Sequence, residues 1–386
     1  MNICHVITRL IVGGAQENTL LTCEGLARRG HKVTLVTGPD TGPEGSLLDE
    51  ARAGGYEVRI APSMHRSVRP LAEIATCRQL GGLLRDLRPD IVHTHSSKAG
   101  ILARRAAHRA GVPIIVHTIH GMSFNRTQSA PTRWLYRMLE RRCARYTDAI
   151  IGVADAMCRQ AVTSEIASAD RCTTIYSGMK TDWYDPARYD RTAVRREWGV
   201  DEGCIVFGTV ARLFRNKGYE QLIPAMVEAA RQVAALRFVW VGDGAQRSEY
   251  VTQLERLGIR SRVHLTGLVA PQEVARMLAG MDALVHASQW EGLPRAAVQA
   301  LLMSKPVISF DIDGAPEVVL PGQTGLLVPL NDTFGLGRAI VELAQDADLR
   351  GRMGRAGREL CLRRFDHNRM IEDIEALYKK LADRRG

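Results

Sequence analysis

The amino-acid sequence predicts an α/β protein built from two doubly wound parallel sheets, and three observations carry that prediction. Short apolar runs alternate with amphipathic stretches of helix length. The alternation lapses once, over 180–203, and then restarts. The chain has 386 residues, more than one ordinary core encloses. Strands covered by helices on both faces are buried on both sides, so they read as near-continuous apolar runs.

In the first half, strands are predicted at 2–8, 32–38, 56–61, 91–96, 113–120, 148–154 and 173–178. The segments 15–29, 71–87 and 98–110 show helical periodicity between them. Residues 1–180 are therefore expected to form a first Rossmann-like domain. The polar stretch 181–203 is expected to link it to a second, over 204–365. There the strands start at Cys204-Ile205-Val206-Phe207-Gly208 and continue through 237–241, 262–266, 282–287, 306–310 and 325–329. Residues 332–383 read as several helices without a strand, and 366–386 as a terminal helix packing back on the first domain. Sheets of this kind hold ligands at the carboxyl ends of their strands, so the two are expected to share a cleft there.

Composition narrows the class. With 24% charged and 45% hydrophobic residues the chain is globular, not disordered. The cysteines at 4, 23, 77, 143, 158, 172, 204 and 361 form no Cys-x-x-Cys pair and suit reduced thiols in a cytoplasmic protein. No run approaches the ~18 apolar residues of a membrane span. The start, Met1-Asn2-Ile3-Cys4-His5-Val6-Ile7, reads as a strand and not a signal peptide. Charge is uneven: residues 1–180 hold 24 Lys+Arg against 15 Asp+Glu, and 181–386 hold 28 against 27. The first half is thus expected to meet something anionic, such as a membrane surface. Arg126, Arg133, Arg137, Arg141, Arg142 and Arg145 interleave with Trp134, Leu135, Tyr136, Met138 and Leu139. Spacing alone favours a core-facing role for the bulky residues of this helix, with solvated arginines.

Chemistry concentrates at the ends of the second-half strands. After 204–211 come Arg212-Leu213-Phe214-Arg215-Asn216-Lys217-Gly218, cations that by themselves fit a grip on phosphates and a solvated basic turn equally. Val241-Gly242-Asp243-Gly244 is a tight turn of the same kind. Glu291-Gly292-Leu293-Pro294 precedes a helix start, where backbone amides receive anionic or hydroxyl oxygens, and Gln299 falls about two turns along that helix. Gly314-Ala315-Pro316-Glu317 forms another glycine turn. In the first half, His93-Thr94-His95 offers two alternate, same-facing imidazoles, but no third metal ligand stands out and no metal is expected. The end of that strand, with Ser96, Ser97 and Lys98, is expected to line the cleft.

Together with Gly13-Gly14-Ala15 and His117-Thr118-Ile119-His120-Gly121, these motifs occur in family order. The chain resembles the family 4 retaining glycosyltransferases of GT-B fold over nearly its whole length. The resemblance implies a sugar transferred from a nucleotide-diphosphate donor, UDP favoured, to a glycan or lipid-linked acceptor, without a metal or other cofactor. The first domain would lie on the acceptor side. Gly13 and Gly14 would approach the donor phosphates, and Arg212 and Lys217 would neutralise them. Gly242 would border the donor. Glu291, with the backbone of Gly292, Leu293 and Pro294, would contact sugar and phosphate. His120 would lie close to the transferred sugar, and position 299 would bind the ribose. The family usually has a glutamate where Gln299 stands. Tyr176-Ser177-Gly178 also departs from the family, which often has Asn before the glycine.

Four other readings compete. A nucleotide-sugar epimerase would share the cleft but need no acceptor. A non-catalytic nucleotide- or glycan-binding relative would fit the loss of the glutamate. An NAD-dependent oxidoreductase wants G-x-G-x-x-G where the chain has Gly13-Gly14-Ala15-Gln16-Glu17. Nucleic-acid binding is disfavoured, since aromatics make up only 5% and do not interleave with the basic residues in an RNA-binding pattern.

Overall fold

The chain divides into two units, Met1–Gly178 with His367–Gly386, and Met179–Asp366. The computed structural model describes residues 1–39, 45–67 and 70–385.

The first unit holds a seven-stranded sheet: β1 (Asn2–Ile7), β2 (Lys32–Thr37), β3 (Glu57–Ile60), β4 (Ile91–His95), β5 (Ile114–Ile119), β6 (Ala149–Gly152) and β7 (Cys172–Thr174). The order is β3-β2-β1-β4-β5-β6-β7 and every pairing is parallel. Each strand feeds both faces by its two-residue period. Ile3, Ile7, Ile91, Ile114 and Val116 pack against helix Gly14–Arg28 and the terminal helix His367–Asp383. Cys4, Val6, Val92 and Ile115 pack on the other side against helices Pro70–Leu87 and Ser97–Ala110. Met370, Ile371, Ile374 and Tyr378 of the terminal helix are buried members of the first of these cores.

The second unit holds a six-stranded sheet: β8 (Ile205–Val210), β9 (Leu236–Val241), β10 (Val263–Gly267), β11 (Ala283–His286), β12 (Val307–Phe310) and β13 (Gly325–Val328). Its order is β10-β9-β8-β11-β12-β13, again all parallel. One core joins Phe207, Phe238, Trp240, Val285 and Ile308 to Tyr219, Leu222, Met226 and Ile340 of the covering helices. Each such side chain stabilises the fold by roughly 1.5–3 kcal/mol through burial.

The stretch 181–203 is not a solvated linker. Residues 179–203 belong to the second unit. Helix Arg191–Glu197 buries Arg195, whose guanidinium pairs with Asp282 at 2.6 Å and donates to the carbonyls of Gly280 and Cys204 at 2.9 Å. Tyr184, Val194 and Trp198 are buried with it. Three widely spaced apolar residues make no periodic signal, so the segment looked polar while its buried contacts were sparse but specific.

The arginine-rich segment forms helix Ala130–Ala144, and its apolar residues do not face the core as spacing favoured. Only Glu140 and Cys143 are buried, with Glu140 paired to the buried Arg104. Trp134, Leu135 and Met138 are 65%, 45% and 42% exposed. One ion pair inside the core turns the polar Glu140 inward and thereby the bulky stripe outward. All eight cysteines are free thiols. Among the described residues no helix is long and apolar enough to cross a membrane.

Candidate active site

In a doubly wound sheet the ligand crevice opens where neighbouring strands send their connections to opposite sides. In the second sheet that point lies between β8 and β11. β8 leads into Ala211–Lys217, and β11 into Ala287–Pro294, so the sequence-predicted residues Arg212, Lys217 and Glu291 converge there.

Lys217 closes the short 3-10 turn Arg215–Lys217. Gly218 follows at φ +74°, and a Cβ there would stand 1.8 Å from the carbonyl oxygen of Ala287. Only glycine lets the turn press against the end of β11. The consequence is direct: Lys217 Nζ reaches Glu291 Oε1 at 2.5 Å, both side chains being at most one-fifth exposed. His286, the last residue of β11, places Nε2 3.4 Å from the same oxygen and Nδ1 3.3 Å from Ser309 Oγ. Burial pushes the Glu291 carboxyl up, but Lys217 and His286 outweigh it and hold the group well below the usual carboxylate range. Glu291 is therefore an anion at neutral pH.

The loop carrying Glu291 is braced from β12. The Asp313 carboxylate accepts from the Glu291 backbone N–H at 2.8 Å, and Gly314 N–H donates to the Gly292 carbonyl at 3.2 Å. Gly292, Leu293 and Pro294 are buried and lead into helix Arg295–Leu302, which starts one residue beyond Pro294. Arg212 lies over the Phe214 ring at 4.9 Å. Gly242, at φ +134°, brings the loop after β9 against Arg212's neighbour, for a Cβ would stand 2.3 Å from the Ala211 carbonyl oxygen. Arg215 instead turns to Glu249 at 2.9 Å on the surface.

Gln299 is buried, and its amide nitrogen donates to the Tyr184 hydroxyl at 2.8 Å. A carboxylate at this position would accept from the same hydroxyl and retain that bond. Gln299→Glu is accordingly expected to keep or improve donor affinity, measured by calorimetry. A tenfold loss would show that the amide makes a contact a carboxylate cannot.

In the first unit the corresponding point lies between β1 and β4. Gly13 and Gly14 sit there at the start of helix Gly14–Arg28, and Thr8 Oγ1 bonds Ser96 Oγ at 2.7 Å across the two strands. Ser96, Ser97, Thr118, His120 and Gly121 line a small cavity at the ends of β4 and β5. Lys98 does not face it; the ammonium pairs with Glu73 at 2.7 Å. His120 Nε2 lies 3.0 Å from His95 Nδ1.

Sequence reasoning missed four contributors: His286, Asp313, Tyr184 and His5. His286 and His5 are strand residues without a motif. Asp313 has φ +44°, and Tyr184 sits in the stretch read as linker. The missing third partner for His93 and His95 is His5, which pairs with His93 across β1 and β4.

Two parallel Rossmann-like sheets, with cations and an ionised glutamate gathered at the switch point of the second, define the chain as a nucleotide-sugar glycosyltransferase of GT-B fold. Residues 13–178 match the family model described as "Glycosyl transferase 4-like domain", and 190–360 match "Glycosyl transferases group 1". The chain belongs to the family 4 glycosyltransferases. It is 27% identical to the UDP-Gal:alpha-D-GlcNAc-diphosphoundecaprenol alpha-1,3-galactosyltransferase of Escherichia coli, over 98% of this chain and 96% of the relative. It is 24% identical to the N-acetyl-alpha-D-glucosaminyl L-malate synthase of Bacillus anthracis, over 92% and 90%. The crystal structure of Anabaena Alr3699/HepE in complex with UDP and glucose has the same fold, with a TM-score of 0.84, 21% identity and 98% and 99% of the two chains covered.

Proposed function

We propose that the protein moves a hexosyl or N-acetylhexosaminyl unit from a UDP-sugar to a glycan or lipid-linked acceptor, with retained configuration and without a metal. The observation that carries the reading is the Lys217–Glu291 pair at the β8–β11 switch point, with Arg212 on the same loop after β8 as Lys217. Arg212 and Lys217 take the diphosphate, supplying the positive charge that the departing UDP needs. Glu291, held ionised, accepts from the donor sugar's hydroxyls. Gln299 meets the ribose, Gly13 and Gly14 the phosphates, and His120 the transferred sugar. The acceptor hydroxyl oxygen bonds to the anomeric carbon on the face from which the diphosphate leaves, and its proton passes to the departing phosphate oxygen. Uridine is supported by the UDP-bound structure of the same fold, and a lipid-linked acceptor by the diphosphoundecaprenol named for the 27% identical relative.

The first unit docks, in this reading, on the anionic inner face of the cell membrane. Trp134 and Met138 stand one turn apart with Leu135 beside them, exposed, on a helix that also carries Arg133, Arg137, Arg141 and Arg142. Such a helix lies in a membrane interface, apolar stripe inward and cations at the headgroups. Each basic residue near the surface contributes about 1 kcal/mol, screened by salt.

The test uses purified protein, UDP-hexoses or UDP-N-acetylhexosamines, and a polyprenyl-diphosphate-linked sugar in vesicles. Transfer is expected with the donor's anomeric configuration in the product by NMR, and undiminished by chelator. Co-sedimentation is expected with anionic vesicles at low salt and not at high salt. Hydrolysis or epimerisation without transfer would overturn the assigned reaction; equal partitioning to neutral and anionic vesicles would overturn the docking.

A further inference from the structure

One face of the first sheet carries a line of imidazoles. His5 on β1, His93 and His95 on β4 and His120 after β5 occupy same-facing positions, since β1 and β4 pair in register His5 with His93 and β4 and β5 pair His95 with Thr118. His5, His93 and His95 are essentially without solvent contact. His5 Nδ1 lies 3.0 Å from His95 Nε2, and His95 Nδ1 lies 3.0 Å from His120 Nε2. The far nitrogen of His5, Nε2, is buried and has no hydrogen-bond partner.

We infer that His5 and His95 are positioning residues that hold neutral His120 as its Nδ1–H tautomer, with Nε2 as the acceptor. The direction of the line follows from its closed end. A buried N–H with no acceptor is rarer and costlier than a bare ring nitrogen, so the His5 proton sits on Nδ1 and is donated to His95 Nε2. A neutral imidazole carries one proton. His95 therefore bears its own on Nδ1 and donates it to His120 Nε2, leaving His120 its proton on Nδ1. Burial, reinforced at His95 by the neighbouring imidazoles, depresses the affinity of both rings for a second proton; His5 is pushed down to about 3, and His95 stands well below its ordinary value. These two rings thus stay neutral. His93 steadies it from the side: its ring centroid is 4.4 Å from that of His95, with Nδ1 2.5 Å from Tyr378 Oη and Nε2 2.6 Å from Thr118 Oγ1. In functional terms, which rest on the proposed contact of His120 with the transferred sugar, His120 presents a fixed donor at Nδ1 and is kept from acting as a base there.

The experiment reads the tautomer directly, by nitrogen-15 NMR of histidine-labelled full-length protein, alongside donor kinetics. The parent and His5→Asn, whose amide can still donate to His95, are expected to show His120 protonated at Nδ1. His95→Phe removes the donor; His120 is expected to exchange between tautomers and kcat to fall about tenfold to a hundredfold, with donor KM within about twofold. A parent spectrum with His120 protonated at Nε2 overturns the inference, and it decides the matter even if His95→Phe does not fold. So does an unchanged tautomer and kcat in His95→Phe. So would stoichiometric zinc binding that shifts His5, His93 and His95 together, because an ion would claim the nitrogens this line uses; their ligand atoms lie within 4.8 Å of one another. If His120→Ala keeps the parental kcat, the assigned role at the sugar fails while the tautomer assignment stands on the spectrum.

Discussion

Glu291→Ala is expected to lower kcat by about 10²–10³-fold, the scale of removing one preorganised polar contact to a transition state. Folding should survive. The backbone N–H of residue 291 keeps its bond to Asp313, and the buried neighbours Gly292, Leu293 and Pro294 are unaltered. What is lost locally is the carboxylate that Lys217 and His286 share, leaving the ammonium without it. That freed cation sharpens the test. Donor diphosphate should bind the variant as well as the parent or better, because Lys217 no longer divides its charge between Glu291 and phosphate. A large fall in kcat with undiminished UDP affinity, read by steady-state kinetics and calorimetry, is the expected pattern. Parental kcat in Glu291→Ala would remove this residue from the reaction.

The double substitution Arg212→Ala/Lys217→Ala is expected to have the largest effect on binding. A charge-assisted bond to phosphate is worth about 1.5–3 kcal/mol, so two lost together predict about a 10²- to 10⁴-fold rise in the Kd for UDP-sugar. Here the variant strands Glu291 as an anion beside the site of the phosphates, which adds repulsion to the loss of attraction. The combined change should therefore exceed what the two cations contribute alone, and restoring neutrality with Glu291→Gln in the same background should recover part of it. Calorimetric titration with UDP measures both steps. Unaltered UDP affinity in the double variant would move the phosphate site elsewhere.

Much of this was legible in the sequence. The strands sat where apolar runs and glycine turns placed them, because a sheet buried on both faces writes itself as continuous Val, Ile, Leu and Phe. Arg212, Lys217 and Glu291 were legible because cations or a carboxylate just beyond an apolar strand have few structural reasons to be there. Their direct bond was not, since it depends on Gly218 letting one loop approach another, and nothing in spacing reports that distance. The segment 181–203 was misread for a related reason: Arg195 looks like any surface arginine until Asp282, eighty-seven residues away, is placed against it. Helix Ala130–Ala144 shows the opposite failure. Its apolar stripe is real, but periodicity says only that a helix has two faces, and not which one the protein covers.

The first unit is discontinuous in sequence: its sheet lies in the first 178 residues and one of its covering helices comes from 367 onward. Ile371 packs onto Gly25 so closely that a methyl there would collide with it, and Tyr378 supplies the hydroxyl that meets His93. During synthesis the strands of this unit emerge before helix His367–Asp383, so the face they share with helix Gly14–Arg28 stays only partly covered while residues 179–366 are made. The second unit can close on its own residues as soon as it emerges; the first is completed only when helix His367–Asp383 follows. Completion of the contacts around His93 is thereby tied to a segment made after the whole second unit.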